Sequence, residues 1–361
     1  MKVLIFSSKF FPFLGGLENF VFEIGKRLVK LNVKVGVVTL NYGKLAAIEE
    51  IEGITVYRLP CLSVLGGVYD IPLKVSLKGL DYSEWDVFVT NTRFFVLSFA
   101  GKVLAKAFGK KLVHVEHGTG WVKHSSKMVE WFVRLYDLSL GIIVVRGADL
   151  VVGICNKSVE FAKKLQAGKT DVVFNSVDPE FFVPVDNKRD GNGMQIVCVS
   201  RLIKAKGLHD LIKAVNGLDV ELSIIGDGPY REELEKLAGD NVFFHGSKDR
   251  EFVAEYVAAS DLLVMPSYSE GLPTVVLEAL SCNVPVVISD VGGLRDVIKE
   301  GVNGMFFIPG DMDDLRARIK MALSKTDWTS MRELVEEKFS WDVNALKFKE
   351  VLEEVLEYEK K

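Results

Sequence analysis

The chain has 361 residues, of which 48% are hydrophobic and 26% are charged, and its formal net charge is −4. This length exceeds what one hydrophobic core usually supports, so two domains are predicted, and the composition excludes disordered and fibrous proteins. The four cysteines lie far apart, with no C-x-x-C pair, which favours isolated reduced thiols over disulfides or a cysteine-bound metal.

The two halves of the chain differ in charge. Residues 1–180 contain 23 Lys and Arg against 17 Asp and Glu, whereas residues 181–361 contain 22 against 32. This asymmetry indicates different partners for the two halves, but it is too mild for nucleic-acid binding, which needs a concentrated basic stripe. No apolar stretch reaches the roughly 18 residues that span a bilayer, and no signal-peptide cleavage pattern follows the first apolar run. We therefore expect a cytoplasmic protein, or one attached to the inner face of a membrane.

Strand-like runs alternate with amphipathic helices along the chain, which is typical of parallel sheets built from βαβ units. The first unit has a strand over 3–8, a loop with Gly15-Gly16, and a helix whose apolar face ends at Leu31. Asn32 is the predicted left-handed helix end. Further strands are predicted near 33–40, 54–58, 87–90, 111–116, 149–153 and 171–174.

A polar segment rich in turn-forming residues, 184–194, is predicted to be a linker. After it the same alternation restarts, and the segment 341–361 is predicted to be helical. The fold class is therefore α/β, with two Rossmann-like, doubly wound domains over 1–183 and 195–340. Strands of the second domain are predicted near 195–199, 220–225, 242–244, 262–265 and 285–288.

Two carboxylates flank a predicted helix start in the second domain. Glu270 lies in the loop after strand 262–265, and Pro273 suits a first helical position. The backbone N–H groups around 271–275 then form an anion site. Glu278 lies about a turn and a half inside the helix. The pair could hold two hydroxyl-bearing groups around one phosphate, or it could be a solvated loop glutamate and a salt-bridged helix glutamate.

The spacing of Glu270 and Glu278 resembles the E-x7-E signature of retaining glycosyltransferases with the GT-B fold, the group 1 or family 4 enzymes. The surrounding motifs match as well, namely Glu-Gly-x-Pro-x4-Glu-Ala, Pro285-Val286-Val287 and Gly292-Gly293-Leu294. Asn283 departs from the glycine that relatives usually have, and it is predicted to be a left-handed helix end, for which asparagine is the next best residue. The resemblance implies two facing domains with an interdomain cleft, the N-terminal one on the acceptor side and the C-terminal one on the donor side. It also implies a last helix, 341–361, that crosses back to the N-terminal domain.

The resemblance also implies roles for single residues. Glu278 would hold the ribose hydroxyls of the nucleotide, and Glu270 would contact the donor sugar beside its reacting carbon. Arg201 and Lys206, after the first strand of the second domain, would neutralise the leaving diphosphate. The forked guanidinium of arginine and the compact ammonium charge of lysine both suit that group. The predicted donor-binding residues are Gly15, Gly16, Arg201, Lys206, Gly226, Gly271, Leu272, Pro273 and Glu278, and the predicted catalytic residues are His117 and Glu270.

Four of these residues lie in glycine turns or at a strand end. Gly15 and Gly16 belong to a run that resembles the family's donor-phosphate loop, and a simple tight turn is the alternative. Gly226 opens a Gly-Asp-Gly-Pro turn that is as well explained by a plain turn as by a nucleotide contact. His117 follows strand 111–116 and should point to the ligand side. It resembles the family histidine that hydrogen-bonds the donor sugar.

No cofactor and no metal are expected. Asp311-Met312-Asp313 spells D-x-D, a metal motif of glycosyltransferases with another fold. Here a helical pattern follows, so helix capping explains the motif. Arg201 and Lys206 would supply the charge neutralisation that a metal gives elsewhere.

Aromatic and basic residues cluster in the N-terminal half. Ordinary core and lid packing is the favoured explanation, and docking on a membrane surface or an apolar acceptor is the alternative. The residues are Phe10, Phe11, Phe13, Trp121, Trp131, Phe132, Lys123, Lys127 and Arg134.

The sequence therefore predicts a retaining, metal-independent glycosyltransferase. It would move a hexose-type sugar from a nucleoside-diphosphate sugar to a glycan, a lipid-linked sugar or a small molecule. The alternatives are a catalytically silent nucleotide-sugar-binding subunit and a sugar-nucleotide epimerase of the same fold.

Overall fold

The computed structural model describes residues 1–13, 15–43, 45–64, 69–121, 127–186, 193–329 and 331–357. The chain divides into two compact units. Unit 1 comprises Met1–Asn175 and Trp341–Lys361, and unit 2 comprises Ser176–Ser340. Each unit is an α/β domain with a mainly parallel sheet, which confirms the predicted fold class.

The strands are β1 (Lys2–Phe6), β2 (Lys34–Asn41), β3 (Ile48–Ile51), β4 (Ile54–Val64), β5 (Tyr69–Pro72), β6 (Val87–Asn91), β7 (Lys111–Glu116), β8 (Leu150–Gly153), β9 (Thr170–Val172), β10 (Met194–Val199), β11 (Val220–Ile225), β12 (Val242–Gly246), β13 (Leu262–Met265), β14 (Val286–Ser289) and β15 (Gly304–Phe307).

The helices are α1 (Gly16–Lys30), α2 (Val96–Ala107), α3 (Lys127–Tyr136), α4 (Ile142–Arg146), α5 (Asn156–Lys164), α6 (Leu208–Val215), α7 (Arg231–Glu235), α8 (Arg250–Ala258), α9 (Thr274–Ser281), α10 (Met312–Ser324), α11 (Arg332–Lys338) and α12 (Trp341–Glu357). A π-helical segment, Asp137–Gly141, connects α3 to α4.

The sheet of unit 1 has the order β3-β4-β2-β1-β6-β7-β8-β9, with β5 paired to β4. Only β3 and β5 run antiparallel to their neighbour within the described sheet. The central strands are buried on both faces, which is why they appear in the sequence as continuous apolar runs. The strand order reverses between β1 and β6, so the loops after these strands border the usual ligand-binding position of a doubly wound sheet.

The C-terminal helix α12 packs on α1 of unit 1. Phe20 of α1 lies edge-on to Trp341 and Phe348, with ring centroids 5.9 and 6.5 Å apart. Arg27 Nε also donates a hydrogen bond of 2.9 Å to Asp342. Aromatic contacts and one ion pair therefore attach the end of the chain to unit 1.

The sheet of unit 2 is parallel throughout, in the order β12-β11-β10-β13-β14-β15. The order reverses between β10 and β13, so the loops after these two strands meet at the position where such sheets bind ligands. These are the loops that carry Arg201, Lys206 and Glu270.

The contact boundary between the units falls after Asn175 rather than after residue 183. The segment that follows bonds to unit 2. Val177 N donates to Phe339 O at 2.9 Å, and Ser281 Oγ donates to Phe182 O at 2.7 Å. Most of the predicted linker, residues 187–192, lies outside the described residues.

The structure adds three strands that the sequence pattern did not predict, β3, β5 and β15. β3 and β5 are four-residue antiparallel strands that carry charged residues or proline, and β15 begins with glycine. β3 and β5 therefore lack the apolar run of a buried parallel strand, whereas β15 is a buried, apolar strand parallel to β14. Asn32 and Asn283 have φ values of 60° and 56°, which confirms the predicted left-handed helix ends.

Candidate active site

Two loops of unit 2, one after β10 and one after β13, pack backbone to backbone. They lie at the switch point of the sheet, where the strand order reverses. The loop after β10 ends at Gly207, which has a φ of 67°, and a Cβ there would overlap the carbonyl oxygen of Pro266 after β13. Tyr268 N also donates to Ala205 O at 3.0 Å. Only glycine fits at position 207, because the conformation is left-handed and the second loop is in contact.

A partly buried ion pair joins the two loops. Lys206 Nζ lies 2.6 Å from Glu270 Oε1, and the two side chains are 20% and 9% exposed. The structure thus brings together two predicted site residues that are distant in the sequence. Lys206 ends the 3-10 turn Lys204–Lys206, and the left-handed Gly207 separates it from α6.

Arg201 lies at the start of the same loop and is exposed. Among the residues that the structure describes, no carboxylate pairs with its guanidinium. A cation is therefore available for an anionic ligand beside the Lys206–Glu270 pair, at the carboxyl end of β10.

The predicted Gly226 turn supports the Arg201 loop. Gly226 has a φ of 132°, and a Cβ there would overlap Ser200 O, while a Cβ at Gly228 would overlap Leu202 O. Leu202 N donates to Asp227 O at 2.9 Å. Close packing therefore accounts for both glycines, and the nucleotide contact of Gly226 stays a prediction.

A second glycine turn supports Glu270. Gly292 has a φ of 63°, and a Cβ there would lie 2.5 Å from the carbonyl oxygens of Glu270 and Gly271. Gly293 N donates to Gly271 O at 2.7 Å. Close packing thus explains the Gly292-Gly293 motif, because the two glycines contact the backbone that carries Glu270.

The helix α9 carries Glu278. It begins at Thr274, with Pro273 as the extended residue before it, so the prediction that Pro273 opens the helix is wrong by one position. Leu272 is buried beneath this helix start. Burial raises the pKa of Glu278 to about 7, although Thr274 and Arg250 act in the opposite direction.

Arg250, the first residue of α8, is a residue that sequence reasoning missed. Its guanidinium lies over the rings of Phe181 and Phe182, 4.2 and 5.4 Å from their centroids. Its positive charge also acts to lower the pKa of Glu278. No local motif marks this arginine, because its partners come from two other segments of unit 2.

In unit 1, His117 follows β7, as predicted. Its Nε2 lies 3.3 Å from Asn91 Oδ1 at the end of β6, and its ring lies edge-on to Phe20 at 5.1 Å. Burial lowers the pKa of His117 to about 4, so the imidazole is neutral at neutral pH.

A fully buried charge cluster lies next to His117 and was not predicted. Arg93 Nη1 lies 3.0 Å from Glu116 Oε1, and Nη2 lies 2.9 Å from Asp137 Oδ2. Burial alone would raise the pKa of Glu116, but Arg93 and His114 hold it at about 2. Asp137 belongs to the π-helical segment, which no sequence pattern indicated.

Gly15 and Gly16 lie at the start of α1. Gly15 is the extended residue before the helix, where a Cβ would meet the Glu18 side chain, and a Cβ at Gly16 would meet no described atom within 4 Å. Packing among the described residues therefore does not require glycine at position 16. The donor-phosphate contact of this pair stays a prediction.

The D-x-D motif caps a helix, as predicted. Asp311 Oδ1 accepts hydrogen bonds from Asp313 N and Asp314 N at 3.1 and 3.0 Å, at the start of α10. Within the described ranges, no group of three or more His, Cys, Asp or Glu side chains is arranged to hold a metal ion.

The aromatic residues of the N-terminal half divide into buried and exposed sets. Phe10 is buried and Trp121 packs against Phe161, whereas Trp131 and Phe132 of α3 are 59% and 46% exposed. Met128, Leu135 and Leu138 are also exposed and continue the same face at helical spacing. We call this set, Met128, Trp131, Phe132, Leu135 and Leu138, the α3 stripe. Lys123 lies outside the described residues.

Among the described residues, no helix combines the length and the apolar character that crossing a bilayer requires.

Two family models match the chain in succession. The model described as Glycosyltransferase Family 4 matches residues 14–181, and the model described as Glycosyl transferases group 1 matches residues 182–340. The uncharacterized glycosyltransferase MJ1069 of Methanocaldococcus jannaschii is 28% identical to this chain over 389 aligned residues, which cover 99% of each protein.

Solved structures share the fold. Sucrose-phosphate synthase (tll1590) from Thermosynechococcus elongatus superposes with a TM-score of 0.82 at 23% identity, over 98% of both chains. Anabaena Alr3699/HepE in complex with UDP-glucose superposes with a TM-score of 0.78 at 21% identity, over 98% of this chain and 100% of that chain. With the two family models covering residues 14–340 between them, the chain belongs to the group 1 and family 4 glycosyltransferases of the GT-B fold.

Proposed function

We propose that this glycosyltransferase is a retaining, metal-independent hexosyltransferase that takes its sugar from a nucleoside-diphosphate sugar held by unit 2. The observation that carries the proposal is the Lys206–Glu270 pair, 2.6 Å long, at the switch point of a doubly wound sheet. A cation and a carboxylate held together there suit a leaving diphosphate and a sugar hydroxyl respectively.

The diphosphate would be bound by Arg201 and Lys206. As the bond to the sugar breaks, negative charge develops on the leaving phosphate, and these two cations stabilise it together with the N–H groups before α9. Their loops are fixed by backbone contacts at Gly207 and Gly226, so little reorganisation is needed during the reaction. The two cations supply the neutralisation that a metal would otherwise give.

Glu278 would accept hydrogen bonds from the ribose hydroxyls. An ionised carboxylate accepts on both oxygens, whereas its protonated form must donate from one of them. Because burial raises the pKa of Glu278 to about 7, donor affinity should rise with pH through this value. Glu270 would contact the sugar near its reacting carbon, and His117 would contact a sugar hydroxyl of the substrate.

Two features direct the choice of substrates. The Anabaena structures with the same fold hold UDP, or UDP-glucose, which makes uridine donors the first to test.

The acceptor, which unit 1 would bind, is a glycan, a lipid-linked sugar or a small molecule. The α3 stripe, flanked by Lys127 and Arg134, favours an acceptor presented at an anionic membrane surface, including the inner face of a cell membrane.

The donor assignment is tested by thermal unfolding with UDP-, GDP- and ADP-sugars, each with and without EDTA. A bound donor raises the midpoint by mass action. We expect one nucleotide class to raise it, with no effect of EDTA, and Glu278→Ala to abolish the shift. Glu233→Ala is the matched control, since Glu233 is an exposed glutamate of α7.

No shift with any donor in the wild-type protein would contradict the proposal and favour a silent subunit. A shift that EDTA removes would contradict the metal-independent mechanism. The anomeric configuration of the isolated product then tests retention.

The membrane contact is tested by sedimentation with vesicles of phosphatidylcholine and phosphatidylglycerol. We expect wild-type protein to bind, and Trp131→Ser/Phe132→Ser to reduce binding about tenfold, because two interfacial aromatic side chains are lost. Met321→Ser, which removes an exposed apolar residue of unit 2, serves as the control. Equal binding by all three proteins would contradict a membrane role for the α3 stripe.

A further inference from the structure

Asn91 joins the ends of three central strands of unit 1. It ends β6, beside β7, and its side chain is almost completely buried. Asn91 Nδ2 donates to Phe6 O, at the end of β1, over 3.3 Å, and Oδ1 lies 3.3 Å from His117 Nε2. A carbonyl oxygen only accepts hydrogen bonds, so Phe6 O fixes the orientation of the amide. The amide oxygen therefore faces the imidazole.

We propose that Asn91 is a positioning residue for His117, which holds the imidazole as the neutral tautomer with its proton on Nε2 and its lone pair on Nδ1. The Nδ1 lone pair then accepts a hydrogen bond from a sugar hydroxyl of the substrate. This inference rests on the proposed function, in which His117 contacts the substrate.

The hydrogen bond to Asn91 decides the tautomer. In a neutral imidazole one nitrogen donates and the other accepts. Because Nε2 faces an amide oxygen, which only accepts, the proton must be on Nε2. The edge-on contact with Phe20 of α1 restrains the ring plane, so Nδ1 keeps a fixed direction.

The surroundings keep the ring neutral. His117 is half-buried and packs against Phe20 of α1 and Asn91 of β6, and its charged or titratable neighbours on β7 are Glu116 and His114. The Glu116 carboxylate favours the imidazolium, but Glu116 is bound by Arg93 and by Gly118 N, 3.0 and 2.7 Å away. Arg93 thus limits the effect of the Glu116 carboxylate on His117.

An aspartate in place of Asn91 should reverse this arrangement. A carboxylate at the same distance stabilises the imidazolium, which donates from both nitrogens and cannot accept from a hydroxyl. A neutral acceptor of this shape is therefore needed if Nδ1 is to receive a hydrogen bond near neutral pH.

The test combines imidazole NMR with kinetics on the full-length protein. In ¹⁵N spectra, with His117 assigned by its loss in His117→Gln, we expect a neutral Nε2–H imidazole in wild type at pH 6. In Asn91→Asp we expect His117 to titrate at a higher pH, with kcat at saturating donor about tenfold lower at pH 6 than at pH 8. In Asn91→Leu, which keeps the size and loses the acceptor, we expect a mixture of tautomers and a low kcat at both pH values.

Thr90→Val is the matched control. Thr90 lies on the same strand, and its hydroxyl bonds to His114 Nδ1 at 2.9 Å rather than to His117. This variant should lower stability without changing the tautomer of His117 or the pH profile, which separates positioning from the general loss of a buried hydrogen bond.

Two results would overturn the inference. One is an unchanged His117 titration and tautomer in both Asn91 variants. The other is a changed imidazole with a pH profile equal to that of wild type. Failure of the proposed function is recognised separately, as absent donor binding and turnover in the wild-type protein, because the NMR readout requires neither.

Discussion

The sheets of the two units share the order of their central parallel strands, but the charged residues near these strands lie in opposite environments. In unit 2, the switch point carries the Lys206–Glu270 pair, which is partly exposed, and the exposed Arg201. In unit 1, Arg93 lies in the loop after β6, Glu116 ends β7 and Asp137 belongs to the π-helical segment, and all three are fully buried. The carboxyl end of the sheet thus carries partly exposed cations in unit 2 and a buried charge cluster next to a neutral histidine in unit 1.

The difference follows from desolvation. A buried charge is stable only with partners inside the protein, so Arg93 is paired with both Glu116 and Asp137 and is not available to a ligand. A partly exposed charge keeps its hydration until a ligand replaces the water. Substitutions in the two clusters should therefore have different consequences.

The largest effect on stability is expected for Arg93→Met. The substitution leaves the carboxylates of Glu116 and Asp137 buried without their cation, which should lower the free energy of unfolding by about 3–5 kcal/mol. Urea unfolding measures this loss. Adding Glu116→Gln and Asp137→Asn should recover part of it, and a single variant as stable as wild type would show that the cluster does not need its cation.

Lys206→Met should mainly reduce catalysis. Because the Lys206–Glu270 pair is partly exposed, we expect a small change in stability but a kcat lower by about 10²–10³-fold, as for loss of one group that stabilises transition-state charge. Lys204→Met is the matched control, since Lys204 is exposed two residues earlier in the same turn. Equal kinetic effects of both substitutions would contradict the assignment of Lys206.

Gly207→Ala should show how closely the two loops of unit 2 are packed. Gly301→Ala is the control, because both glycines have positive φ values, 67° and 74°, but a Cβ at Gly301 meets no described atom within 4 Å. The control should lose about 1–2 kcal/mol of stability from its backbone conformation. Gly207→Ala should lose about 1–3 kcal/mol more through overlap with Pro266 O, and it should also weaken donor binding. Equal losses would mean that the loops separate easily.

The smallest effect is expected from a change of one pH unit. Burial raises the pKa of Glu278 to about 7, above the ordinary glutamate value, so the folded protein binds more protons than the unfolded chain between those values. Stability should therefore fall as pH rises toward 7, and Glu278→Gln should remove this decline. Donor affinity should change in the opposite direction, falling by up to about tenfold per pH unit below 7. A donor affinity independent of pH from 5 to 8 would contradict a role for ionised Glu278.

Much of the candidate site in unit 2 was predictable from local patterns. Glu270, Glu278 and the Gly292-Gly293 turn lie within one short segment, so their spacing is visible in the sequence. The turn at Gly226 and the cap at Asp311 were also visible, since backbone requirements select specific residue types. The Lys206–Glu270 contact was not visible, because it depends on β10 and β13 being neighbours in the sheet.

The amino-acid sequence by itself determined the alternation of buried strands and helices, the two-domain α/β class and the helix ends at Asn32 and Asn283. Each of these depends on residues a few positions apart. Only the tertiary structure decided which side chains are buried together, as in Arg93 with Glu116 and Asp137, or Asn91 with His117. The physical reason is that strand order and burial set the distances and the dielectric environment between such groups, and neither can be read from the spacing of residues along the chain.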